Sequence, residues 1–279
     1  MFERNVILRL VPLLLFPVII IPLNITVSHG ADTAAINELK DNLIIANKIL
    51  DSEGLARPMG HVSVRIPGTE TFLISKSVAP GMVSARDDIL VCDLNGKVVE
   101  AKDKASARTY GEVQGHASVY RKRPDLTSVV HTHSAAVIAM SMTGNTLLMA
   151  SSQAMKMGGW KEPIGFYKKT IQLEKPEIGE EVAALLGPNY CVILKGHGAL
   201  IVGKGVEEAI VNACDLEIAA RYQLMAQSAG NLVLFTREEM EMLLPFKLET
   251  AKQGGDWQSL GTVSSTGRAW EYYKSKVKK

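Results

Sequence analysis

The chain has 279 residues, 47% of them hydrophobic and 22% charged, so a sizeable core can be buried and wholesale disorder is excluded. Lys and Arg number 31 against 29 Asp and Glu, a formal net charge of +2, which leaves no single-sign field to hold nucleic acid or an anionic membrane by charge alone. Cys92, Cys191 and Cys214 cannot all pair and fit no zinc-ribbon or CxxC spacing; a disulfide scaffold is excluded, and the three read as small buried apolar residues.

The first thirty residues read as an export signal. Arg4 and Arg9 precede the apolar run 10–23, and Ser28-His-Gly-Ala31 supplies a small-residue exit. The alternative is an uncleaved anchor over Leu10 to Val27, near the lower limit for a spanning helix, although Pro12, Pro17 and Pro22 disfavour a rigid one. Either way the remaining part, residues 31–279, is expected to work outside the cytoplasm, in the periplasm or secreted. No Pro- or Ser-rich linker divides it, so one domain is expected.

Residues 34–50 space Ile36, Leu39, Leu43, Ile44 and Leu50 near a 3.6 period, which predicts an opening helix. Short β-rich runs follow at 61–66, 72–75, 89–92 and 97–99, and Asn95-Gly96 marks a hairpin turn before the last. Residues 112–122 read as helix, 128–133 as strand and 135–142 as helix. The stretch 144–172 reads as loop with short elements. Residues 177–187 form an amphipathic helix closed by Gly187. Two apolar strands, 191–194 and 199–202, flank Lys195-Gly-His-Gly198, and helices are expected over 206–229, 238–246 and 270–277, with an irregular tail between 254 and 267. This alternation argues for an α/β layered domain.

Five histidines remain beyond the leader: His61, His116, His131, His133 and His197. His131 and His133 lie two apart in a strand, so both imidazoles point to one face and can reach one ion. His197 stands between two glycines after an apolar strand, where the backbone can turn sharply. Three imidazoles and a carboxylate suit Zn²⁺ or another borderline divalent ion; the bland alternative is three histidines satisfied separately by hydrogen bonds.

Gly60-His-Val-Ser-Val-Arg65, Glu112 followed by His116, Arg123-Pro-Asp125, Val129-Val-His-Thr-His133 and Lys195-Gly-His-Gly198 occur in an order that resembles the class II aldolase/adducin family, over about residues 36–230. The resemblance implies a three-layer α/β/α sandwich with a central, largely antiparallel sheet. It also implies a homotetramer with active sites at subunit borders and a divalent metal. The ligands it implies here are His131, His133 and His197. Glu112 matches the family's acid, a metal ligand that becomes the catalytic base once substrate displaces it. As a helix-start acid, Glu112 could instead be merely solvated. His116, one helical turn after Glu112, is expected to support the site rather than ligate.

The sequence departs from the family's sugar-phosphate enzymes. Their phosphate-cradling asparagine is His61 here, their turn is Ser75-Lys-Ser-Val-Ala-Pro-Gly81, and the pair before Glu112 is Tyr110-Gly111. Their proton-donor tyrosine has no counterpart in 147–154. Lost donors weaken phosphate recognition. Gly60-His-Val-Ser-Val-Arg65 looks nearer the decarboxylase-type members, where His61 would meet substrate as donor or acid; a structural strand-start histidine is the other reading. The expected function is a divalent-metal-dependent carbon–carbon lyase, with Zn²⁺ favoured and Mn²⁺, Co²⁺ or Fe²⁺ as alternatives. It would perform aldol cleavage or decarboxylation of a small non-phosphorylated hydroxy-carbonyl or hydroxy-carboxylate substrate through a metal-stabilised enediolate or phenolate. The competing expectations are a non-catalytic adducin-like assembly module and a sugar-phosphate aldolase or epimerase.

Overall fold

The computed structural model describes residues 33–103, 105, 107–160, 162–169, 173–242 and 265–277. The expected leader, residues 1–30, lies outside them, as do 243–246 of the expected 238–246 helix and 254–264 of the expected irregular tail. Among the described residues no helix is long and apolar enough to cross a membrane.

Eight strands form one sheet: β1 (His61–Arg65), β2 (Thr71–Ser75), β3 (Ile89–Asp93), β4 (Val98–Glu100), β5 (Ser128–Thr132), β6 (Gly165–Tyr167), β7 (Cys191–Leu194) and β8 (Gly198–Gly203). Their order is β4-β3-β2-β1-β5-β8-β7-β6. Every pairing is antiparallel except β6 with β7. The β3–β4 hairpin turns at the expected Asn95-Gly96, with Gly96 at φ +77° and its N–H donating to Asp93 O at 2.9 Å. Two short elements inside 144–172 had no periodic signal: β6 and the helix α4 (Ser152–Lys156), each too brief to show a period.

The period-2 alternation of the strands sends side chains into two separate cores. Val62, Val64, Val130, Ile193, Ala199 and Ile201 pack under α1 (Thr33–Ser52), α3 (Ala135–Met142) and α6 (Val206–Ala229). Phe72, Ile74, Val129, Leu194, Leu200 and Val202 pack under α2 (Val113–Lys122) and α5 (Pro176–Leu186). The result is the expected three-layer α/β/α sandwich. The last helix, α7, runs Ser265–Val277 rather than starting at residue 270; Trp270, 2% exposed, anchors it on the first core. All three cysteines are free and buried, and burial pushes the Cys92 and Cys214 thiols up to about 12.

One close approach sets the sheet's centre. A Cβ on Gly198 would stand 1.8 Å from Thr132 O and 3.2 Å from His133 Cα, and the residue's φ is +150°. Only glycine lets the 195–198 turn meet the end of β5. Gly198→Ala is therefore expected to cost about 3 kcal/mol or more, because backbone rather than a flexible side chain must yield. Gly205→Ala, on extended backbone with nothing within 4 Å, is expected to cost less than about 1 kcal/mol. Chemical denaturation of both variants checks the difference; equal midpoints would contradict it.

Candidate metal centre

Four side chains from three parts of the chain converge beside β5. His131 is in β5, and its Nδ1–H donates to Ala199 O at 3.1 Å on neighbouring β8. A carbonyl only accepts, so this bond fixes the tautomer and leaves Nε2 as a lone pair. His133 follows the strand, its backbone N–H tied to Leu55 O at 2.8 Å. Its Nε2 is buried with no hydrogen-bond partner. His197 sits on the β7–β8 turn, which closes with His197 N–H donating to Leu194 O at 3.1 Å. Glu112 occupies the N-cap position of α2, yet its side chain does not cap the helix. It turns instead to the imidazoles: Oε1 lies 2.9 Å from His197 Nε2 and Oε2 lies 3.3 Å from His131 Nε2.

His131 Nε2 and His197 Nε2 are 3.2 Å apart, and the candidate ligand atoms of all four residues lie within 4.8 Å of one another. Lone pairs and a carboxylate gathered this closely repel unless a cation or protons lie among them. The orphaned Nε2 of His133 adds a buried acceptor pointing to the same place, and an N₃O donor set fits a borderline divalent ion. Burial lowers the His133 pKa to about 3, helped by repulsion from His131 and His197, so the ring is a neutral ligand. Burial by itself would push the Glu112 carboxyl up; the surrounding imidazoles of His131, His197 and His61 outweigh it and hold the group well below the usual carboxylate range.

Two side chains outside the four-residue cluster aim the loops. Glu217 of α6 accepts from Ala136 N–H at 3.0 Å, capping α3 just after His133. Ser141 near the end of α3 accepts from Gly196 N–H at 2.9 Å, beside His197. One short helix thus ties together both histidine-bearing segments. Neither role was visible in the sequence, because each partner is at least 55 residues away along the chain.

A cavity of about 470 Å³ opens onto Glu112 and His197. Pro58, Met59, Val78 and Ala79 contribute apolar wall, and Glu174 a second carboxylate. His61, expected against substrate, is not among the lining residues. It is fully buried behind Glu112, Nε2 3.5 Å from Oε2, with its ring 4.2 Å from Tyr110. His116 is fully buried beyond His61 and stands outside the four-residue cluster. In the sequence Tyr110 stands out only as a departure from a phosphate-binding pair; in the structure it packs on His61 and lines the cavity.

The chain is similar in sequence and fold to known proteins. The 3,4-dihydroxyphthalate decarboxylase of Arthrobacter keyseri is 26% identical over 200 residues, which span 68% of this chain and 79% of that one. Human beta-adducin is 30% identical over 203 residues, 69% of this chain but 27% of the adducin. The L-fuculose 1-phosphate aldolase of Glaciozyma antarctica PI12 superposes with a TM-score of 0.70 at 19% identity, covering 88% of this chain and 90% of that chain, a likeness of fold. Residues 41–224, a span that holds Glu112 and the three clustered histidines, match the Class II Aldolase and Adducin N-terminal domain, and the chain belongs to that family.

Proposed function

We propose that the protein is a divalent-metal-dependent carbon–carbon lyase acting on a small, non-phosphorylated hydroxy-carbonyl or hydroxy-carboxylate compound, by aldol cleavage or decarboxylation. The observation that carries this reading is the gathering of Glu112, His131, His133 and His197 within 4.8 Å at the edge of a cavity. Two carboxylates and no lysine or arginine among the described lining residues support a substrate without phosphate. The decarboxylase relatives support the lyase class.

His131, His133 and His197 would hold the ion, with Glu112 beside them, and Zn²⁺ suits the donors best. Bound there, it supplies Lewis-acid polarisation of substrate oxygens. The remaining work falls to the chain. Glu112, kept ionised and 18% exposed in its side chain, is placed to take the proton of a substrate hydroxyl. It returns that proton to the carbon left by the breaking C–C bond, so no net proton is consumed at the residue. The apolar wall of Pro58, Met59, Val78 and Ala79 excludes water from the substrate's body. The competing reading, an adducin-like module without catalysis, is disfavoured by the intact donor set. The proposal extends to an exported homotetramer.

Full-length protein repleted with Zn²⁺ is expected to retain close to one equivalent per chain, and less than about a tenth would favour the scaffold reading. Among sugar phosphates, phosphate-free hydroxy-aldehydes and o-hydroxy aromatic acids, the phosphate-free compounds are expected to turn over. Glu112→Gln is expected to lower kcat by about 10²-fold or more. Preferential turnover of a sugar phosphate would reject the substrate class.

A pH dependence also follows for the metal-free protein. Burial lowers the pKa of His61 to about 4 and of His133 to about 3, below the ordinary 6.5. Between those values and 6.5 the unfolded chain binds more protons, so stability is fully present above pH 6.5 and lost on acidification. The thermal midpoint is expected to fall steadily from pH 7 to pH 4.5. A midpoint unchanged over that range would contradict buried neutral imidazoles.

A further inference from the structure

Behind Glu112, on the side away from the cavity, a buried polar chain runs between β1 and α2. His61 and Ser63 are two apart on β1 and share a face; His116 and Tyr120 are four apart on α2 and share the face turned to the sheet. His61 Nδ1 lies 2.9 Å from His116 Nε2, His116 Nδ1 lies 2.7 Å from Ser63 Oγ, and Ser63 Oγ lies 2.7 Å from Tyr120 OH. Tyr120 is itself fastened: Arg65 donates to its backbone oxygen at 2.6 Å and its guanidinium lies over the ring at 4.9 Å. His61, Ser63 and His116 are fully buried and Tyr120 is 1% exposed, so water does not compete for these bonds.

A neutral imidazole carries one ring proton, donating from one nitrogen and accepting at the other. The chain therefore has only two consistent directions. In the first, Tyr120 donates to Ser63, Ser63 to His116 Nδ1, and His116 Nε2–H to His61 Nδ1, which leaves the His61 proton on Nε2, facing Glu112 Oε2 at 3.5 Å. In the second, every proton points the other way, Tyr120 donates to Thr127 O, and a lone pair of His61 faces the carboxylate. The first forgoes only the 3.4 Å contact to Thr127 O; the second sets two electron-rich atoms against each other in a buried place.

We propose that His116, braced by Ser63 and Tyr120, is a positioning residue that holds His61 in its Nε2–H tautomer, so that His61 orients the Glu112 carboxylate toward the metal instead of touching substrate. The inference rests on the reading of Glu112 as metal-side acid and base, and it replaces the sequence expectation of a substrate contact at His61. Its logic is that of an outer partner which fixes the direction of a ligand one bond away. His61, placed between His116 and Glu112, acts through the carboxylate.

Long-range ¹H–¹⁵N correlation on histidine-labelled, full-length, metal-free protein reads the His61 tautomer directly. The expected result is a protonated Nε2 and an unprotonated Nδ1; a protonated Nδ1 overturns the proposal, whatever the activity. Zn²⁺ titration supplies the second readout. His116→Leu is expected to weaken Zn²⁺ binding about 10-fold or more. His116→Gln keeps a donor at the height of Nε2 and is expected to restore affinity to within about 3-fold, together with the Nε2–H tautomer. An unchanged Kd in the leucine variant, or no rescue by glutamine, overturns it. Wild-type protein that binds no Zn²⁺ would sink the lyase reading separately, and the tautomer would still decide the relay.

Discussion

The pairing of β5 between β1 and β8 is the constraint on which the site depends. It puts His61 opposite His131 in register, and it brings Ala199 of β8 against the His131 ring so that one carbonyl sets its tautomer. It also forces the turn before β8 against Thr132, where Gly198 has no room for a side chain. From that contact follow the placement of His197 and its 3.2 Å approach to His131. Interiors resist deformation because they are close-packed, so a shift of this backbone would move three imidazoles together.

Around this centre the two faces of the sheet have different work. The face under α1, α3 and α6 is an apolar core whose helices carry the outer braces: Glu217 on α6 caps α3, and Ser141 on α3 ties the turn that bears His197. The opposite face, under α2 and α5, mixes apolar packing with the hydrogen-bonded line from Tyr120 to His61. Buried polar groups are costly unless every one is paired. Within the line the contacts of 2.7 to 2.9 Å meet that demand, and the buried nitrogen left over, His61 Nε2, faces the Glu112 carboxylate at 3.5 Å. Glu112 is held from behind by His61 and in front by His131 and His197, and the cavity reaches it from the open side.

Much of the architecture was legible from periodicity. The opening helix, the amphipathic helix near 177–187, the Asn95-Gly96 hairpin and the apolar strands at 191–194 and 199–202 carry signals within ten to twenty residues, and they appear where those signals put them. The three-residue strand β6 and five-residue α4 carry none, since a segment shorter than two periods cannot display one. The histidine pair on β5 and the His197 turn drew notice by residue type and spacing. The place of His61 did not follow from those signals: strand-start position says which face a ring takes, not whether Glu112 and Tyr110 will stand between it and the cavity.

By itself, the amino-acid sequence determined the layered α/β class, the family, and the residue types able to hold a divalent ion, because these reside in local pattern and in side-chain chemistry. Only the tertiary structure decided that His131 and His197, 66 residues apart, meet, that His133 Nε2 is left without a protein partner, and that His61 lies behind the carboxylate rather than on the cavity wall. The physical reason is range. Propensity and period act over a few residues, whereas the convergence is set by strand register and by one backbone contact that only glycine permits.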